Sequence, residues 1–249
     1  MEHGLEPKER LEHNRTAMKS VFGTVSESDQ EKGLPMPQPF KVCGGKRVAL
    51  TREFTNVIRK NDYLSLLRDR VSRRAYKDAS LSLPELAFLL WSAQGVKSVR
   101  SGLTFRVVPS GGARHPFELY LAVKNVTGLE KGVYHYLAGT HELELLRPVE
   151  DVEKQVVSVL NNQSFTSAAA VTLFFSAVPY RPEWRYVEAA GKLVPIDAGH
   201  AMQNLYLSAE AAGLGMCAIA AYNQSVADAF LGLDGTEEFT VYAATIGAL

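Results

Sequence analysis

The sequence predicts an α+β domain with a central, mostly antiparallel sheet and helices on both of its faces. Three observations carry this. Ala169 to Val178 (AAVTLFFSAV) is a nearly continuous apolar run, as expected of a central strand covered on both sides. Phe117 to Val123 (FELYLAV) alternates strictly, as a strand does. Helical stripes with recognisable caps lie before, between and after these strands.

Residues 1–40 are polar, charged and finally Pro-rich (LPMPQPF), which predicts an amphipathic helix followed by an extended arm. Such an arm suits either wrapping a partner subunit or a loosely ordered terminus. Residues 41–249 are expected to form one domain. From Asp62 the pattern is helical, with Leu64, Leu67 and Val71 on one stripe. Ser82 and Glu85 form a capping box for a second helix, whose apolar face is Leu86, Leu89, Leu90 and Ala93 and which Gly95 stops. Phe105 to Val108 reads as a short strand. Val133–Leu137 and Glu142–Leu146 flank a hairpin turn at residues 138–141. Asp151 to Leu160 is a helix with Val152, Val156, Val157 and Leu160 inward. Asp197 is read as the cap of a long helix closed by Gly213. A short helix follows Ser225, and Phe239 to Gly247 is a last buried strand, paired near the sheet's centre with the strands from mid-chain.

Composition excludes several classes. Lys plus Arg balances Asp plus Glu at 27 each, so no general attraction to nucleic acid or anionic membranes follows. The two cysteines, Cys43 and Cys217, form no CxxC pair, and neither a disulfide framework nor a zinc ribbon is expected. The histidines lack metal-ligand spacing; His135 and His141 could face each other across the hairpin, but no metal site is predicted. The amino terminus lacks an apolar signal region, and no apolar run is long enough to span a bilayer, so the expected address is the cytoplasm.

Two segments could carry chemistry. Arg70-Val71-Ser72-Arg73-Arg74-Ala75-Tyr76 sets cations around a hydroxyl where a helix ends. Extended backbone points Arg70, Ser72 and Arg74 the same way, and two guanidinium forks with a hydroxyl make a phosphate clamp. The same residues also read as a solvated basic helix end. Pro109-Ser110-Gly111-Gly112-Ala113-Arg114-His115-Pro116 lies between two strands; its glycines let backbone approach something flat, or serve a tight structural turn. It is neither a P-loop nor a nucleophile elbow. Gly213-Leu214-Gly215-Met216-Cys217 follows a helix and lacks a third glycine, so it reads as a helix end and a strand start, not as a dinucleotide fingerprint.

Taken in order, these segments resemble the nitroreductase-like flavoproteins, in particular their SagB-type (azoline) dehydrogenase branch. RxSxRxY at residues 70–76 is similar to the motif that grips the phosphate and pyrimidine edge of FMN. PSGGARHPFELYL resembles the PSAGALYPLELYV-like signature of that branch. GVYHY, RPEWRY, DAGHAMQNLYLSAEAAGLGMCAI and EEFTVYAATIG resemble its later blocks, so the likeness runs from about Leu34 to the end. The resemblance implies a nitroreductase-like fold, a homodimer with FMN bound at the subunit interface, and two-electron hydride transfer at flavin N5. It assigns Arg70, Ser72 and Arg74 to the phosphate and ring edge, and Pro109, Ser110, Gly111 and Gly112 to the loop against the isoalloxazine. Ala220 and Ala221 stand where the family usually has a Gly-Gly pair near N5 and O4. Arg114 is the candidate for tuning the flavin near N1. NAD(P)H or a small organic or peptidyl substrate would exchange the hydride. The Ala-Ala pair and the unusual segment Val187–Leu193 motivate a second reading, a catalytically degenerate flavin protein acting as sensor, store or partner of a peptide-modifying complex.

Overall fold

A computed structural model describes residues 6–19, 26–41 and 44–249 of the chain. Its frame is a seven-stranded sheet in which every neighbouring pair is antiparallel. In chain order the strands are β1 (Arg47–Ala49), β4 (Phe117–Val123), β5 (Gly132–Leu137), β6 (Glu142–Pro148), β7 (Val171–Ala177), β8 (Leu214–Ile219) and β9 (Phe239–Ala248). Their order in space is β1-β6-β5-β4-β7-β9-β8. Every residue of β7 is buried, and it pairs with β4 on one side and β9 on the other, as its unbroken apolar run predicts.

The alternation along the strands sends side chains to two different cores. Leu119, Leu121, Leu173 and Phe175 meet helices α3 (Leu83–Gln94) and α6 (Ala190–Ala211), through Leu86, Leu89, Met202 and Leu205 among others. Tyr120, Ala122, Phe174 and Ala243 meet α4 (Val152–Val159) and α7 (Gln224–Leu231), through Val156, Val159, Phe230 and Leu231. Helices therefore cover both faces, as predicted. The Ser82–Glu85 capping box is formed, with Glu85 N donating to Ser82 Oγ at 3.3 Å and Ser82 N to Glu85 Oε2 at 2.8 Å.

Several expectations are corrected. The strand expected at Phe105–Val108 is β3 (Leu103–Arg106), and it pairs with an unforeseen β2 (Val96–Arg100) in a ribbon outside the main sheet. Ser101 and Gly102, both at positive φ (49° and 78°), make the tight hairpin turn between them. On α2 (Tyr63–Asp69) the expected inward stripe faces outward: Leu64 and Leu67 are 52% and 45% exposed, and Leu66 is the residue turned to the core. Periodicity gave the helix but could not say which side is covered, and Val71 lies beyond the helix end. The long helix α6 starts seven residues before Asp197, so Asp197 is not its cap. Pro195 lies inside it, where it removes the hydrogen bond to a carbonyl near the helix start. The helix after β8 begins just before Ser225, capped by Asn223. His135 and His141 do not face each other: His135 Nε2 bonds Glu118 at 2.9 Å, and His141 Nδ1 bonds Tyr136 at 2.7 Å.

At the amino end, α1 (Pro7–Met18) shows no apolar face turned inward; all its described side chains, Leu11 included, are exposed. The Pro-rich stretch is tied to its own domain. Trp184 Nε1 donates to Leu34 O at 3.0 Å, Arg181 Nε to Gln38 O at 3.1 Å and Arg106 Nη2 to Pro39 O at 3.1 Å. Cys43 lies outside the described residues, and Cys217 is a buried free thiol on β8. Among the described residues no helix is long and apolar enough to cross a membrane.

Candidate cofactor site

The basic segment after α2 runs beside the edge strand β8, with Arg73 N donating to Met216 O at 2.8 Å. Tyr76 fixes its far end by lying flat on Gly215 and Gly247; a Cβ on Gly247 would stand 2.7 Å from the Tyr76 ring, so glycine is needed for the approach. The grouping of Arg70, Ser72 and Arg74 expected of extended backbone is met only in part. Arg73 pairs with Glu210 of α6 at 3.1 Å. Arg70 and Ser72 meet on Tyr206, one turn earlier on the same helix: the Arg70 guanidinium lies 5.2 Å from the ring centroid, and Ser72 Oγ is 2.8 Å from the Tyr206 hydroxyl. That hydroxyl also accepts Ala218 N at 2.8 Å, which locks Tyr206 to β8. Arg74 does not join them. It sits over Phe165 at 5.8 Å and bonds the Cys217 thiol, whose pKa burial raises while the nearby Arg74 charge opposes the rise. Neither Arg70 nor Arg74 has a carboxylate partner among the described residues.

Tyr206 belongs to α6, and the same side of that helix leads into a cleft of about 1150 Å³. Gly191, Val194, Pro195, Ala198 and Gly199 form one wall, and Ala220, Phe239, Val241 and Tyr242 form the opposite one. Gly199 and Tyr206 are seven residues apart, roughly 10 Å along a helix axis. Tyr242 spans the gap; burial raises its pKa, with Tyr206 close enough to add to the rise. One surface thus carries two kinds of group: guanidinium and hydroxyl at one end, and an apolar slot at the other.

The glycine loop takes a different position. Gly111 N donates to both oxygens of Asp197, at 3.2 and 3.3 Å, and Ser110 Oγ accepts from His115 N at 2.8 Å. Burial raises the Asp197 pKa, and its bonds to Ser110 and Gly111 pull the other way. Gly112 adopts φ +58° with the Tyr186 hydroxyl where a Cβ would stand, and Gly111 lies against Leu193. Arg114 is buried, its Nε bonded to Gly112 O at 3.0 Å and its guanidinium over Trp184 at 5.3 Å. Leu193 and Asp197 occupy a different side of α6 from the cleft wall, and none of Pro109, Ser110, Gly111 and Gly112 lines the cleft. Within one chain, the clamp and the loop therefore do not close on one spot. Of the Ala pair, Ala220 lines the cleft, whereas the Ala221 carbonyl accepts Gln163 Nε2 at 3.0 Å.

Sequence reasoning did not single out Tyr206, Tyr242 or Tyr186, because their partners are far away in the chain. Asp197 carried a visible signal, an acid following a proline, but one that pointed to a helix cap. Among the described residues no group of three or more His, Cys, Asp and Glu could hold a metal ion.

Comparison with known proteins places the molecule. A model of the nitroreductase family matches residues 67–248, and the chain belongs to that family. It is 34% identical over 157 residues to a nitroreductase-type protein of Methanocaldococcus jannaschii, covering 63% of this chain and 77% of that one. It is 31% identical over 133 residues to the trifolitoxin-processing protein TfxB of Rhizobium leguminosarum bv. trifolii, covering 52% of this chain. The chain spans only 36% of TfxB, and 37% of a larger nitroreductase-type structure from Anabaena variabilis (TM-score 0.64, 25% identity, 74% of this chain). Among solved structures, a nitroreductase-type protein of Ralstonia eutropha matches with TM-score 0.68 at 24% identity, over 86% of this chain and 94% of that one. A chain of the E. coli microcin synthetase McbBCD complex with truncated pro-MccB17 bound matches with TM-score 0.61 at 19% identity, over 100% and 99%. A Desulfovibrio desulfuricans structure in complex with FMN matches with TM-score 0.53 at 20% identity, over 76% and 86%. The family match agrees with the nitroreductase-like resemblance of the sequence blocks.

Proposed function

We propose that the chain is an FMN-dependent oxidoreductase of the SagB-type branch, working as a cytoplasmic homodimer. It would exchange a hydride through flavin N5 with NAD(P)H or with a small organic or peptidyl substrate. The observation that carries this is the meeting of Arg70 and Ser72 on Tyr206, beside a large apolar cleft, with no carboxylate among the described residues neutralising Arg70 or Arg74. Such a donor set suits one phosphate, since guanidinium groups bind phosphate through charge-assisted hydrogen bonds. The apolar slot suits a flat ring. The family and the neighbour solved with FMN support the same cofactor. When bound, the flavin would supply the two-electron chemistry, and the protein would orient it, exclude water from one face and present the substrate to the other.

In this reading Arg70 and Ser72 hold the phosphate, Arg74 adds positive charge at the sheet edge, and α6 forms the wall of the ring slot. The loop at Pro109, Ser110, Gly111 and Gly112 would reach the flavin of the partner subunit, which accounts for its separation from the clamp of its own chain. The purified protein should be yellow and should release FMN, not FAD, on denaturation, because the clamp accommodates a single phosphate. Colourless protein that gains no flavin on incubation with FMN would refute the proposal. Anaerobic bleaching of the bound flavin by a hydride donor such as NAD(P)H would separate an enzyme from the degenerate flavin protein that Ala220 and Ala221 also allow.

A further inference from the structure

We propose that the cleft selects its hydride donor by charge, accepting an uncharged or cationic apolar molecule and disfavouring the anionic dinucleotides NADH and NADPH. The inference rests on the cleft being the hydride-exchange site of the proposed function, and it narrows the choice of substrate made there. The cavity of about 1150 Å³ exceeds the roughly 300–1,000 Å³ usual for one ligand, so it has room for a second molecule beside a flat ring. Its charged lining residues are Glu183 and Glu237; among the described residues no lysine, arginine or histidine lines it. Arg70 is beyond its far end, where a cofactor phosphate would occupy it, and Arg74 does not line the cleft either. A pyrophosphate entering the cleft would lose water without gaining a cation in return, and a charge so desolvated needs a partner.

The approach carries the same sign. Tyr180 and Glu183 also line an adjoining groove of about 370 Å³, together with Glu27, Asp29 and Glu188. The one lysine of that groove, Lys32, is already bonded to Asp29 at 3.2 Å. Among the described residues no cation forms an ion pair with Glu183, and burial raises its pKa, so this carboxylate stands partly desolvated. A dianion would meet like charge along this path, which slows association and weakens binding. An apolar segment of a modified peptide, neutral or bearing a basic residue, meets no such barrier.

The test compares three donors with the same dihydronicotinamide ring: N-benzyl-1,4-dihydronicotinamide, NADH and NADPH. In each case one C–H bond breaks, the donor leaves as the pyridinium cation, and both electrons pass with the hydride to the flavin. Anaerobic bleaching rates of the flavin-loaded protein are divided by those of the same donors with free FMN. The uncharged donor should then be favoured by at least about tenfold over NADH, with NADPH slower still. Glu183→Lys and Glu237→Lys should each raise the NADPH rate. Calorimetry without turnover gives the second readout: the 1-benzylnicotinamide cation should bind at least about tenfold more tightly than NADP+, and the E183K/E237K protein should narrow the gap. Normalised rates for NADH or NADPH that equal or exceed those of the uncharged donor would overturn the proposal. So would equal binding of cation and dinucleotide, or no binding of the cation. Protein without flavin would sink the cofactor reading alone, and the calorimetric ranking would then decide the charge rule by itself.

Discussion

Arg70 and Arg73, three residues apart, have opposite commitments, and the difference can be measured. Arg73 is bonded to Glu210, whereas Arg70 rests on an aromatic ring and keeps its charge available. Arg70→Ala should weaken FMN binding by roughly tenfold to a hundredfold, the size of a lost charge-assisted contact to phosphate, and Arg74→Ala, which removes only nearby positive charge, should weaken it less. Arg73→Ala should leave that affinity nearly intact and lower stability by about 1 kcal/mol or less. Flavin titration and denaturant unfolding of the three variants distinguish the roles. A second residue-scale expectation concerns acid. Burial, reinforced by Arg106, depresses the His115 pKa to about 3 from an ordinary 6.5. Burial alone would raise Glu118, but the His135 hydrogen bond and the charges of Arg181 and Arg106 hold it at about 2, below an ordinary 4.5. Both groups bind protons more readily in the unfolded chain, so stability is complete above pH 6.5 and falls as pH drops toward 3. His115 has φ +44°, which asparagine tolerates. His115→Asn should therefore flatten the loss between pH 6.5 and 4.5, read from unfolding midpoints across pH.

At the scale of elements, α6 holds both segments of the proposed site. Asp197 holds the loop at Ser110 and Gly111, and two and a half turns later Tyr206 holds Ser72 and Ala218. Asp197→Ala should release the Gly111 amide. Hydrogen exchange at Gly111 and Gly112 should then rise well before exchange in β7 changes, and an unchanged loop would show that its hold comes from Leu193 and Tyr186 instead. The same helix marks the boundary of what the sequence made legible. The Ser82–Glu85 box, the apolar run of β7 and the hairpin at residues 138–141 depend on neighbours in the chain, and all were readable. Asp197 was misread because a carboxylate near a proline satisfies the local rule for a cap, while its actual partner lies 86 positions away. Tyr206 offered no signal, since its bond to Ser72 spans 134 positions. The meeting of Arg70 and Ser72 was legible in their spacing, but not the placement of Arg74 over Phe165, which depends on packing across the sheet edge.

For the whole molecule, the decisive question is how the clamp and the glycine loop come together. Tyr63, Leu64, Leu67 and Val71 leave an apolar face exposed beside Arg70, with Leu64 52% and Val71 51% accessible. A second copy covering that face would close over the clamp and could bring its own loop to it. Light scattering should give twice 27.3 kDa, with an interface above about 2,000 Å² that does not dissociate at micromolar concentration. Leu64→Glu combined with Leu67→Glu should yield a folded monomer that loses FMN. A flavin-loaded monomer would overturn the shared-site reading and leave the fold untouched.

The anchoring of the Pro-rich stretch has a consequence for how this region can vary. Arg181 and Arg106 hold the main-chain oxygens of Gln38 and Pro39, and the side chains of those residues are not what they grip. Prolines suit the role because they keep backbone extended and leave carbonyls free to accept. Spelling should therefore matter less than spacing. Exchanging Met36 or Gln38 for other residues should keep the attachment, whereas deleting either one should shift both oxygens out of reach and leave Arg181 Nε and Arg106 Nη2 without these acceptors. Limited proteolysis around residue 38 would report the difference, with the substituted chains resisting cleavage and the shortened ones nicked.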